Sequence, residues 1–184
     1  MPDSSTLTSF VPALSAFGGF LLAALAEYLR DRRTRERERE ARADARRLQL
    51  FQRRSEFQRE TLLNLQDAVF ALSRAGGRVH HLDEMEFRKT GVWGGNHLPE
   101  DLNEEARLAA VKVSAFMVRV RDENVRELTK TFRDHATRLG VCRSREEGRQ
   151  AAEAMGETIP LLHERIGLVL RKLDDDDESI ALKR

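Results

Sequence analysis

The chain has 184 residues, of which 34% are charged and only 6% aromatic, with a formal net charge of +1. So much charge and so few aromatic residues exclude an all-β sandwich or barrel, which needs β-branched and aromatic residues in alternating runs. A single cysteine excludes an internal disulfide framework and a cysteine-based zinc site, and the near-zero net charge names no partner.

In chain order, residues 1–6 form a short N-terminal segment that carries one acid, Asp3. From Ser4 to Ala26 there is no charged residue, and most positions after Leu7 are apolar or small. A helix needs about 20 such residues to cross a hydrocarbon core about 30 Å thick, so 7–29 is predicted as a single-pass transmembrane helix. Pro12, Gly18 and Gly19 are tolerated in such a helix. A cleaved signal peptide is suggested by Ala24-Leu25-Ala26 but lacks the usual basic start. A buried core helix would need apolar surroundings that the later sequence does not offer. Seven arginines, the first Arg30 and the last Arg42, follow the segment, and none precedes it. Basic flanks stay on the cytoplasmic side, which places the N-terminus outside and the remaining chain in the cytoplasm. Abundant Arg and Ala with only five lysines point to a GC-rich bacterial genome and hence to the inner membrane. Ser15, Gly19 and Ala23 share one stripe of this helix, and small residues at that spacing let two membrane helices approach closely. Glu27 falls at the headgroup boundary.

Residues 30–47 alternate Arg with Glu and contain no Gly or Pro, which predicts a solvated helical stalk. Opposite charges lie three or four apart, as in Arg32–Glu36, Arg35–Glu38, Glu36–Arg39 and Glu38–Arg42. Arg30, Arg32, Arg33 and Arg35 would contact anionic lipid headgroups. Nucleic-acid binding is disfavoured, because the interleaved glutamates repel phosphate and no aromatic side chains are present for stacking.

A 3/4 apolar spacing begins at Leu48 and runs through Phe51, Leu62, Leu65, Val69, Leu72 and Val79, the pattern of a helix with a core-facing side. Gly76-Gly77 either ends this helix or only weakens it. The segment Thr90–Pro99, with three glycines, reads as a loop. Pro99 suits the first turn of a second helix, whose stripe is Leu102, Ala106, Ala109, Val113, Phe116 and Val120. The phase slips at Asp122–Asn124 and resumes with Val125, Leu128, Phe132, Ala136 and Leu139, and Gly140 is a natural stop. Ser144-Arg-Glu-Glu147 matches a capping box opening a third helix. Its stripe, Ala152 to Leu173, keeps phase across Pro160, which predicts a kink rather than a break. Five consecutive acids, Asp174–Glu178, oppose the helix dipole, so 174–184 is predicted as a disordered tail. The expected fold is all-α: a transmembrane helix running into a long charged helix, then an antiparallel three-helix, coiled-coil-like bundle over 48–173.

The chemistry-bearing candidates are few. Gly91, Gly94 and Gly95 sit in a turn with no preceding strand, so they form no phosphate loop. His80, His81, Asp83, Glu84 and Glu86 are the densest ligand cluster, and His80 and Glu84, four apart, or His81 and Glu84, three apart, would share a helix face. They support an alternative reading as a metal- or ligand-binding enzyme or sensor. No Glu stands three residues before any histidine, which is the spacing of di-iron bundles. Cys142 lacks a motif that supplies a base. Trp93 is either tucked under its own loop or a docking point for a partner. With no catalytic constellation and no cofactor motif, the sequence favours a membrane-anchored, non-enzymatic helical interaction or scaffold protein. Its expected partners are membrane lipids and either a second copy of itself or another membrane or cytoplasmic protein.

Overall fold

A computed structural model describes the backbone of residues 7–94 and 98–181 and the side chains of 27–94 and 98–180. Four helices are present among the described residues, with no strand: α1 (Leu7–Thr90), α2 (Glu100–Met117), α3 (Glu123–Val141) and α4 (Arg145–Ala181). The all-α expectation therefore holds. The chain divides into two compact units, 1–51 and 52–184.

In the first unit, α1 is helical from Leu7, but the side chains of 7–26 lie outside the described residues, as do Ser15, Gly19 and Ala23. Among the described residues no helix is long and apolar enough to cross a membrane, so the structure lends the predicted crossing at 7–29 no support. The charged stretch is helical and solvated, as its composition dictates. Arg32 pairs with Glu36 at 3.1 Å and Arg42 with Glu38 at 3.1 Å, but Arg35 turns back to Asp31 at 2.6 Å rather than forward to Glu38. All these pairs are exposed, and each adds about 0.2–0.5 kcal/mol to the helix.

In the second unit, α1 continues without interruption through Gly76-Gly77. Gly76 lies against Leu139 and Met155, where an added Cβ would come within 3.3 Å of the leucine. The glycine here permits close packing rather than a break. Gly91, with φ 73°, ends α1, its N–H donating to the Phe87 carbonyl at 2.8 Å. This is the left-handed cap that glycine favours. The core joins all four helices through Leu62, Leu65 and Val69 of α1, Val113 of α2, Phe132 and Leu139 of α3, and Leu162 and Ile166 of α4.

Two expectations are corrected. The predicted second helix is two helices, making the unit a four-helix rather than a three-helix arrangement. The break falls where the apolar phase slips, and it is locked from both sides. Asp122 caps α3 by accepting from the Val125 N–H at 3.0 Å, while the buried Gln58 of α1 clamps the turn. Its amide donates to the Arg119 carbonyl at 3.0 Å and accepts from the Arg121 N–H at 2.9 Å. The turn's backbone groups are thus satisfied without helix. The predicted disordered tail is the second correction, since α4 runs on to Ala181. Arg59 of α1 pairs with Asp174 and Asp177, and the Ser55 hydroxyl donates to Asp177 at 3.0 Å. Opposite charge on the facing helix offsets the repulsion that the sequence alone implies. Replacing Arg59 with Ala should therefore speed amide hydrogen exchange across 174–181 and leave the exchange of α3 unchanged.

Pro160 lies inside α4, which stays continuous as the preserved phase implied. The capping box at Ser144 forms in part. The Ser144 hydroxyl accepts from the Glu147 N–H at 3.2 Å, but the Glu147 carboxylate reaches back to the Arg143 N–H at 2.9 Å rather than to that of Ser144.

Candidate functional site

The loop end of the bundle gathers most of the chain's distinctive side chains. Gly91 and Gly94, both with positive φ, turn the chain after α1 so that Trp93 lies half-buried against the bundle. The Trp93 indole N–H donates to the Cys142 sulfur at 3.3 Å, and the Cys142 thiol in turn donates to the Leu139 carbonyl at 3.2 Å. The indole ring lies 5.7 Å from the His80 ring and 6.3 Å from the Phe87 ring. On the α4 side it presses on Gly148, where an added Cβ would stand 2.4 Å from Cζ2. Trp93 thus joins α1, the α3–α4 turn and α4. Trp93 packs on these other elements rather than under its own loop, and it stays half-exposed. The missing side chain of Gly148, two elements away in sequence, makes room for it.

The His80, His81 and Glu84 cluster does not assemble a metal centre. Glu84 is occupied by Arg145, which donates to both carboxylate oxygens at 2.9 and 2.6 Å, and by Arg88 at 3.2 Å. The Arg145 hydrogen bonds, with Arg88 adding to them, hold the Glu84 carboxyl below the usual carboxylate range. Arg145 also covers the Phe87 ring, its guanidinium carbon 5.3 Å from the ring centroid. His81 is exposed and His80 half-buried. Among the described residues no group of three or more His, Cys, Asp or Glu side chains is placed to hold a metal ion. Adding zinc or a chelator should leave the thermal midpoint unchanged, and so should His81→Ala. A metal-dependent shift in the midpoint would restore the alternative reading.

Asp83, another member of the predicted ligand cluster, is buried one turn after His80, and that burial pushes its carboxyl above the usual range while His80 opposes the shift. One feature here was not singled out by sequence: an open cleft of about 410 Å³ between the end of α3 and the start of α4, lined by His135, Arg138, Cys142, Glu147 and Gln150 among others. Its thiol is engaged by Trp93 and the Leu139 carbonyl, so the cleft offers mixed polar contacts rather than an activated nucleophile. Asp83 was legible as a member of the cluster, but its burial was not, because that depends on which face α1 turns to its neighbours.

The four predicted headgroup-contacting arginines stand exposed on α1. Arg32 and Arg35 are drawn into intrahelical pairs, whereas Arg30 and Arg33 take part in no ion pair among the described residues. No family model, curated protein or solved structure matches the chain. What the fold defines is a class: an all-helical protein in which a long first helix carries an exposed charged stretch and then enters a compact bundle.

Proposed function

We propose that the chain is a membrane-anchored, non-enzymatic helical interaction or scaffold protein, held at the cytoplasmic face of a bacterial inner membrane by a single N-terminal helix. The observation that carries this reading is the charge-free run from Ser4 to Ala26 followed at once by the arginine-rich stretch. That order of apolar span and basic flank retains a chain with its C-terminal part inside. Three structural features support the bundle's role as a binding module. Its core is closed, Trp93 and Cys142 are spent on each other, and large apolar side chains remain exposed on helix surfaces.

The test is in-cell crosslinking of the full chain, tagged at its C-terminus, followed by mass spectrometry of the membrane fraction. Recovery with carbonate-resistant membranes and recurrent links from the bundle to one protein, or to a second copy, is the expected result. Recovery in the soluble or secreted fraction would overturn the anchor. Turnover of a substrate by the purified chain would overturn the non-enzymatic part.

A further inference from the structure

Helix α2 is apolar on two faces. One face, with Leu102, Ala109 and Val113, is buried in the bundle. The other carries Leu108, Val111 and Ala115, continued by Val118 at the C-cap, all exposed, with 45% of the surface of Leu108, 54% of Val111 and 72% of Val118 open. The spacing of these four is three, four and three, the a/d seam of a coiled coil. A solvated helix face in a monomer carries polar residues at such positions.

The charges around the stripe are polarised along it. Glu100 and Asp101 stand at the start of α2, and Arg119 and Arg121 in the turn that follows its end. None of the four forms an ion pair among the described residues. Glu104 and Glu105, by contrast, are taken up by Arg107 and Arg78. A surface that is acidic at one end and basic at the other is complementary to itself when turned through a two-fold axis. An antiparallel pairing centred on Val111 brings Asp101 of one copy towards Arg121 of the other and opposes the two helix dipoles favourably. A parallel pairing would set acid against acid and base against base along the whole seam.

We propose that the Leu108–Val118 stripe of α2 is a homodimerisation surface on which a second copy of this chain docks antiparallel. The seam is short, about 15 Å for ten helical residues, so it is a small interface by itself. It relies on a raised local concentration, and in that respect the proposal rests on the membrane anchoring argued above.

The test uses the full chain in cells, with oxidant-induced disulfides read as covalent dimer. Val111→Cys, on the axis, should link to itself. Val118→Cys alone should not, whereas the double variant Glu104→Cys/Val118→Cys should, because antiparallel packing opposes those two positions. The wild-type chain, carrying only Cys142, gives the baseline. Val111→Glu should abolish chemical self-crosslinking while Trp93 fluorescence and the membrane-fraction yield stay unchanged, which shows that the bundle has folded and remains anchored. Absence of the Val111→Cys dimer, equal self-linking by Val118→Cys, or self-links that survive Val111→Glu would each overturn the surface. Loss of the protein from the membrane fraction would instead count against the anchor, so the two failures are separable.

Discussion

Replacing Gly148 with alanine should destabilise the bundle by about 1–3 kcal/mol, the usual cost of forcing an atom into a packed site. The sign is the informative part. Glycine to alanine inside a helix ordinarily stabilises by about 1 kcal/mol, because alanine loses less backbone entropy on folding. At Gly148 the new Cβ would lie 2.4 Å from Trp93 Cζ2 and 3.2 Å from the Cys142 sulfur. The indole is a rigid ring and cannot yield at one atom, so it must leave as a unit and give up its hydrogen bond to Cys142. Gly156, in the same helix α4, has nothing within 4 Å of an added Cβ, and Gly156→Ala should show the ordinary stabilisation. Chemical denaturation of the two variants measures both signs. Trp93 is the only tryptophan, so its emission should move to longer wavelength in Gly148→Ala and stay put in Gly156→Ala. A stabilised Gly148→Ala with unchanged emission would show that Trp93 does not pack as described.

Asp122→Ala should cost about 2–3 kcal/mol, combining a lost N-cap with a half-buried charged pair. One carboxylate oxygen accepts from the Val125 N–H at 3.0 Å and from Arg165 Nε at 3.0 Å, and the other accepts from Arg165 Nη2 at 2.6 Å. The same side chain therefore starts α3 and ties it to α4. The Arg165 hydrogen bonds, helped by the Val125 N–H, hold the Asp122 carboxyl below its ordinary value despite partial desolvation. A carboxylate depressed in the folded state contributes stability that is fully present above its unfolded pKa of about 4. That contribution fades as pH falls through the lower folded value. The difference in unfolding free energy between wild type and Asp122→Ala should thus be constant near neutrality and shrink in acid. A difference that persists undiminished at the lowest pH at which both fold would assign the effect to packing instead.

The residues that were legible in the sequence are those whose roles are set by near neighbours along the chain. The Leu62–Leu65–Val69–Leu72 seam follows from 3/4 spacing, and all four side chains are buried. Ser144 announces the start of α4, and the charge alternation after Arg30 announces a helix with no buried face. The phase slip near Asp122 was visible too, but a slip alone fits a helix with a defect as well as a turn. Gln58, more than sixty residues away, supplies the hydrogen bonds that make the turn possible.

The candidate site was less legible for the same reason. His80, His81 and Glu84 share ligand-like spacing, yet Glu84 is claimed by Arg145, which spacing on one helix cannot reveal. Trp93 packs against Gly148 and Cys142, both distant in sequence, which the sequence of its own loop cannot reveal. The acids after Leu173 repel one another along the chain, and Arg59 and Ser55 on another helix offset that repulsion.

By itself, then, the sequence determined the all-helical class, the phase of each seam, the cap at Ser144 and the charged character of the first helix beyond Arg30. These follow from periodicity and from interactions within one or two turns, whose partners are adjacent in the chain. Only the tertiary structure decided that the middle segment is two helices, that α1 passes through Gly76-Gly77, that α4 extends over its acids and that Trp93 is an internal strut. Each of those outcomes depends on a hydrogen bond, an ion pair or a steric vacancy supplied by a residue distant in sequence, whose position exists only once the helices have packed.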